Sequence, residues 1–133
     1  MDRMVTSVID GVEYTLNFSM EVMFDMTDKF GNLREALDAI SADNKEAFEA
    51  VRWLFVKMAN DGELCRREAG YDHRPMIREE DISLRTTPLK YVLMKSAVVA
   101  AINQGYFRES ADENQEVDVG LEELRAKKAK AGE

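Results

Sequence analysis

The 133-residue sequence contains one cysteine and one histidine, and this scarcity excludes two kinds of site. A single cysteine, Cys65, cannot form a disulfide within the chain, which favours a reducing, cytosolic setting. One cysteine and one histidine also leave a zinc site short of the ligands that it needs. We therefore expect no internal disulfide, no metal site and no cofactor.

Catalytic motifs are missing as well. The sequence contains no Gly-rich phosphate loop, no H-E-x-x-H and no G-x-S-x-G. Cys65 and His73 could be imagined as a nucleophile and its base, but nothing marks an oxyanion hole or a third group that would orient the histidine. The acidic residues are scattered over polar helix faces, which is typical of a solvated surface. We expect that the protein is not an enzyme.

Excess basic charge and long apolar runs are also absent. The net charge of -8 and the pI near 4.8 have the wrong sign for non-specific binding to nucleic acid or anionic lipid. The most apolar stretch, residues 87–106, is too short and too interrupted by polar side chains to span a membrane. No charged and apolar leader typical of a secretory signal opens the sequence. We expect a cytoplasmic protein without nucleic-acid or membrane partners.

What the sequence does contain is a clear pattern of short elements. Residues 5–18 predict a β-hairpin, because apolar and polar residues alternate after an Asp-Gly turn at residues 10–11. The implied register puts Ile9 opposite Val12. Four helices follow, so that we expect an α+β, mostly α-helical fold in which the hairpin packs on a bundle of about four helices. The domain would span residues 1–108, and residues 109–133 would form a flexible, acidic and then lysine-containing tail.

Capping residues and glycines predict where the helices begin and end. The first helix is expected between Ser19 and Gly31, and the second after Asn32. The third is expected over residues 45–61, with Gly62 closing it. For the first helix the expected core stripe is Met20, Met23, Phe24, Thr27 and Phe30.

The fourth helix, expected over residues 88–104, is the most apolar. Thr87 would cap it, Pro88 fits its first turn and Gly105 would stop it. Leu89, Val92, Leu93 and Ala100 fall on one side, while other apolar residues fall roughly opposite. A helix that is apolar on nearly all sides is either central to the bundle or covered by another subunit. We expect it to be the most buried helix.

Apolar residues that lie off a single core stripe are candidates for contacts with other proteins. We expect self-association through some of them. The candidate interaction residues are Val22, Met26, Trp53, Val56, Tyr91, Met94, Val98 and Ile102.

The segment from residue 63 to residue 85 is the least regular. Its arginines alternate with acidic residues, which predicts a solvated loop whose charges pair with one another. One helical turn within residues 77–82 would dock Ile82 or Leu84 on the domain. The pattern does not indicate a role for residues 65–75.

The order of these segments resembles a known family. A hairpin ending in VEYTLNF runs directly into SMEVMFDMTDKFGNLREALDAI, and AFEAVRWLFVKMANDGE, an I-x-EED turn and a final apolar helix follow. This arrangement, over residues 9–107, is similar to the tail assembly chaperones of long-tailed bacteriophages and of prophages in Gram-positive bacteria. Residues 65–75 match nothing in the family.

The resemblance implies a non-enzymatic role in the cytoplasm of the host bacterium. Proteins of this family coat the long helical tape measure protein before the tail tube polymerises around it, and they help to recruit tail tube protein. The implied partners are therefore the tape measure protein, the tail tube protein and further copies of the chain. The family has no catalytic residues to transfer.

Two other functions remain open from the sequence. The chain could be a structural adaptor of a phage or prophage, such as a head–tail joining protein, which would form a fixed ring. It could also be a protein-binding regulatory module of a cellular system. The genes that neighbour its own would separate these alternatives.

Overall fold

The computed structural model describes residues 4–108, and within them it contains a two-stranded antiparallel hairpin and four α-helices. This confirms the expected α+β, mostly helical fold. The strands are β1 (Val5–Ile9) and β2 (Val12–Leu16), and the helices are α1 (Met20–Phe30), α2 (Leu33–Ser41), α3 (Lys45–Glu68) and α4 (Pro88–Ile102). A short 3-10 turn, Glu79–Asp81, precedes α4, and a π-helical segment, Asn103–Arg108, follows it. The predicted tail, residues 109–133, lies outside the described residues.

The hairpin has the register that its turn dictates. Asp10 and Gly11 have φ of 54° and 77°, as a tight two-residue turn with two positive φ angles requires. Ile9 pairs with Val12, which confirms the expected register, and at the far end of the hairpin Leu16 is fully buried. The apolar face of the hairpin therefore lies on the helices.

Side-chain caps begin the helices as their sequence signals predict. The Asn32 side chain accepts a hydrogen bond of 2.8 Å from the backbone N–H of Glu35, and Ser19 and Thr87 cap α1 and α4 in the same way. Gly31 ends α1 with φ of 103°. These local signals depend on residues within one helical turn of each other, so they do not require knowledge of the tertiary structure.

The predicted end of the third helix is wrong, since α3 continues through Gly62 to Glu68. At this point β2 lies against the helix, and the backbone N–H of Asn17 donates to the Met58 carbonyl at 3.0 Å. A Cβ atom on Gly62 would lie 2.6 Å from the carbonyl carbon of Thr15. Gly62 is therefore needed for the close approach of a strand, and it does not end the helix.

We expect Gly62→Ala to destabilise the fold by about 2 kcal/mol, because the new methyl group must displace backbone that cannot move freely. Alanine in a helix interior normally stabilises by up to about 1 kcal/mol relative to glycine, so the sign of the effect is diagnostic. Urea unfolding followed by circular dichroism measures it, with Ser96→Ala on an exposed position of α4 as the control. An increase in stability for Gly62→Ala would contradict the close contact.

The helix at the centre of the fold is α3 and not α4, contrary to the expectation from the sequence. Ten residues of α3 are buried, against five of α4. The reason is that α3, at 24 residues, contacts β2, α2 and α4, whereas α4 lies against the hairpin and α3 along one side only. Gly105 was expected to stop α4, but the helix ends at Ile102 and Gly105 packs against Phe18 in the segment that follows.

Part of the 63–85 segment is anchored on α3. The Asn60 side chain exchanges two hydrogen bonds of 2.9 Å with the backbone of Ile77. Ile77 and Ile82 are buried, which confirms the predicted docking of Ile82, while Leu84 is exposed. No helix in the described part of the chain is long and apolar enough to cross a membrane.

Candidate interaction surfaces

Five of the eight candidate interaction residues are buried in the core of the single chain, and their prediction as a surface is wrong. Their side chains are at most 2% exposed because they pack within the hydrophobic core cluster of the chain. The five are Val22, Met26, Met94, Val98 and Ile102.

The other three candidates, Trp53, Val56 and Tyr91, are half-buried at the edge of the core. The Trp53 ring packs edge-on against Phe30 at a centroid distance of 5.8 Å. The ammonium group of Lys29 lies 5.1 Å from the Trp53 ring centroid, so this ring is partly covered by the chain itself. Tyr91 is held similarly, against Phe48, with ring centroids 5.4 Å apart. These side chains offer an edge rather than a broad face to a partner.

Two of the five residues expected in the core stripe of α1, Met20 and Phe24, are exposed instead, while Met23 and Phe30 are partly buried against the core as expected. Met20 and Phe24 are both 57% exposed, while Val22 and Met26 point into the core. Glu21 and Asp28 lie on the same exposed side of the helix and are themselves exposed. We call Met20, Glu21, Phe24 and Asp28 the α1 surface.

A second exposed apolar surface lies on α4 and the turn before it. Leu89, Val92 and Leu93 are 70%, 57% and 46% exposed, and Leu84 in the preceding turn is 64% exposed. The three helical residues have the spacing i, i+3 and i+4, which places them on one face. We call Leu84, Leu89, Val92 and Leu93 the α4 surface. Exposed leucines are common singly, but a group on one helix face is typical of a protein-binding site.

The sequence could not separate the inner and outer faces of these two helices, since both faces are apolar. In α4, Lys90 and Lys95 lie about 140° apart around the helix axis, so no polar face opposes an apolar one. In α1 the inner pair, Val22 and Met26, is no more apolar than the outer pair, Met20 and Phe24. Only the packing of each helix against its neighbours decides which pair is buried.

The charged residues of the 63–85 segment form ion pairs with one another, as expected. Two of them are buried, however, so the predicted exposure to solvent is wrong for these two. Glu63 and Arg66 are 6% and 5% exposed. The Glu63 carboxylate accepts hydrogen bonds from Arg66 at 2.7 Å, from Arg67 at 2.9 Å and from the backbone N–H of Arg74 at 2.7 Å. Arg66 also reaches the backbone and side chain of Asp72. This network fastens the loop after α3 to the last turns of that helix.

The hydrogen bonds of this network determine the protonation of Glu63. Burial would raise the pKa of its carboxyl group, but the bonds from the Arg74 backbone and from the two arginine side chains outweigh burial and lower the pKa to about 2. Glu63 is therefore ionised at neutral pH, and its acceptor sites are occupied by the protein's own donors. The arrangement is that of a structural ion pair and not of a catalytic acid.

Cys65 and His73 do not form the pair of nucleophile and base that was considered from the sequence. Burial, together with the negative charges of Asp61 and Glu68, raises the pKa of the Cys65 thiol. Its sulfur accepts a hydrogen bond of 3.4 Å from the Asn17 side chain. His73 is exposed, and no hydrogen bond joins it to Cys65 among the described residues. The thiol is therefore protonated at neutral pH.

A cavity of about 510 Å³ lies between β2, α3 and the loop at residues 74–77. Its charged lining residues form ion pairs: Arg74 lies 3.6 Å from Glu13, Asp81 pairs with Arg78 at 3.3 Å, and the Glu63 carboxylate is held as described above. The Nη1 atom of Arg74 nevertheless has no hydrogen-bond partner among residues 4–108. Among residues 4–108, no group of three or more histidine, cysteine or acidic side chains could hold a metal ion. The α1 and α4 surfaces are therefore the stronger candidates for the functional site.

Comparisons with known proteins do not place the chain in a family. No protein-family model matches it, and neither curated proteins nor solved structures give a significant match.

Proposed function

We propose that this protein is a non-enzymatic assembly chaperone of a long-tailed bacteriophage or prophage. In this proposal it binds the tape measure protein in the cytoplasm of the host bacterium, keeps it soluble and supports assembly of the tail tube around it. The order of segments that resembles the tail assembly chaperones supports the proposal from the sequence.

The observation that carries the proposal is the α4 surface. Leu89, Val92 and Leu93 leave an apolar ridge on a helix that carries no acidic residue. A long amphipathic helix can bury its own apolar stripe against such a ridge, as in other helix–groove complexes. The net charge of -8 would keep the loaded complex soluble.

Co-expression with the partner tests the proposal. We expect a gene for a very long helical protein downstream of this chain's gene, and we expect the product, or a long fragment of it, to be soluble only when this chain is present. The double variant Val92→Gln, Leu93→Gln should abolish that effect, since it removes most of the apolar ridge while keeping good helix formers. Val8→Thr, which alters an exposed apolar residue of the hairpin, is the matched control and should act like wild type.

Three results would contradict the proposal. The first is the absence of a long helical protein among the neighbouring genes. The second is equal solubilisation by the wild type and the α4 double variant. The third is recovery of the chain as a stable ring in purified virions, which would identify a structural adaptor.

A further inference from the structure

The α1 and α4 surfaces both have exposed apolar side chains at their centre, but the charged residues around these side chains are acidic on α1 and basic on α4. We call these surrounding charged residues the rim of each surface. On the α1 surface the rim consists of Glu21 and Asp28, and neither makes an ion pair within the described residues. Beside the α4 surface lie Arg85 and Lys95, whose side chains are also without an ion pair in residues 4–108. Each surface thus leaves uncompensated charge of one sign around exposed apolar side chains.

The two surfaces belong to different parts of the fold. Helix α1 packs against α2 and α3, whereas α4 packs against the hairpin and α3. A contact that joins an α1 surface to an α4 surface between two molecules therefore uses two different patches. Such a heterologous contact leaves one free α1 surface and one free α4 surface at the ends of a pair, and further copies can add there.

We propose that, in the free protein, the α4 surface of one copy is covered by the α1 surface of a second copy. The contact brings Met20 and Phe24 onto the apolar ridge and places the acidic rim against the basic one. A contact between two α4 surfaces, or between two α1 surfaces, would bring like charges together, which disfavours it.

This inference builds on the proposed function in one respect. With two apolar side chains exposed on one helix face, α1 offers the kind of apolar stripe that the proposed function gives to the partner's helix. A second copy would therefore protect the α4 surface until the partner displaces it. The self-contact can nevertheless fail while partner binding holds, and the experiment below separates the two.

Mixing two variants of the 133-residue chain, each lacking one of the two surfaces, tests the contact. One variant carries Met20→Gln and Phe24→Gln and keeps its α4 surface; the other carries Val92→Gln and Leu93→Gln and keeps its α1 surface. We expect wild type to form oligomers that grow with concentration, and each variant alone to associate about tenfold or more weakly. An equimolar mixture should form a complex of two chains and nothing larger, as measured by analytical ultracentrifugation. The substitutions are at exposed positions, and thermal melting followed by circular dichroism checks that both variants are folded.

Several outcomes would overturn the inference. If the α1 variant alone still forms dimers, the contact joins two α4 surfaces. If the α4 variant alone still forms dimers, it joins two α1 surfaces. A mixture that stays monomeric, or a wild type that is monomeric at the highest concentration reached, would show that a second copy does not cover the α4 surface. In that last case co-expression with the long helical protein still tests the proposed function.

Discussion

Val98→Asp is expected to unfold the domain or to destabilise it by about 4 kcal/mol, because it places an unpaired carboxylate in the core. The Val98 side chain is 0% exposed and lies among other buried apolar residues of the same cluster. Urea unfolding of the purified variant measures the loss, and failure to accumulate as soluble protein would be the same result in its extreme form.

The same substitution on the other side of α4 is the control. Val92 is 57% exposed, so Val92→Asp should change the free energy of unfolding by no more than about 0.5 kcal/mol. The difference in the free energy of unfolding between Val98→Asp and Val92→Asp shows which face of α4 is buried. Equal unfolding midpoints would contradict the orientation of α4.

Glu63→Gln is expected to cost about 3 kcal/mol at neutral pH, since it leaves the buried Arg66 guanidinium without its closest anion. Glu68→Gln, on the same helix but exposed, is the matched control and should be nearly neutral. Urea unfolding at pH 7 compares them. A cost for Glu63→Gln as small as that of the control would contradict the buried network.

The pH dependence of stability gives a second test of the same network. The pKa of Glu63 falls from an ordinary value of 4.5 in the unfolded chain to about 2 in the folded protein. Its contribution to stability is therefore present above about pH 4.5 and is lost as the pH falls through about 2, below which the carboxyl group is protonated in both states. We expect wild type to lose stability over this range more steeply than Glu63→Gln does. Parallel curves for the two proteins would contradict the lowered pKa.

The sequence predicted the features of the fold that depend on short-range signals. The Asp-Gly turn determines the hairpin register, and Ser19, Asn32 and Thr87 mark three helix starts, because each acts on backbone groups two or three residues away.

Features that depend on contacts between distant segments were not predicted. Gly62 has the sequence context of a helix end, but β2 approaches the helix there and only glycine leaves room for the Thr15 carbonyl. The inner faces of α1 and α4 are chosen by packing against α3 and the hairpin, and for this reason the predicted interaction residues were mostly core residues. The α1 surface around Phe24 and the α4 surface around Val92 could be identified as exposed only once those inner faces were known.

The most direct test of the central claim is to map, residue by residue, where a long amphipathic helix binds. The ¹⁵N-labelled 133-residue chain would be titrated with a fragment of the long helical protein whose gene the proposed function expects beside its own, and amide signals followed by NMR. We expect signals of α4 around Leu89, Val92 and Leu93 to shift, while those of the exposed side of α2, such as Arg34 and Asp38, stay in place. Absence of binding, or shifts confined to regions other than α4, would contradict the account.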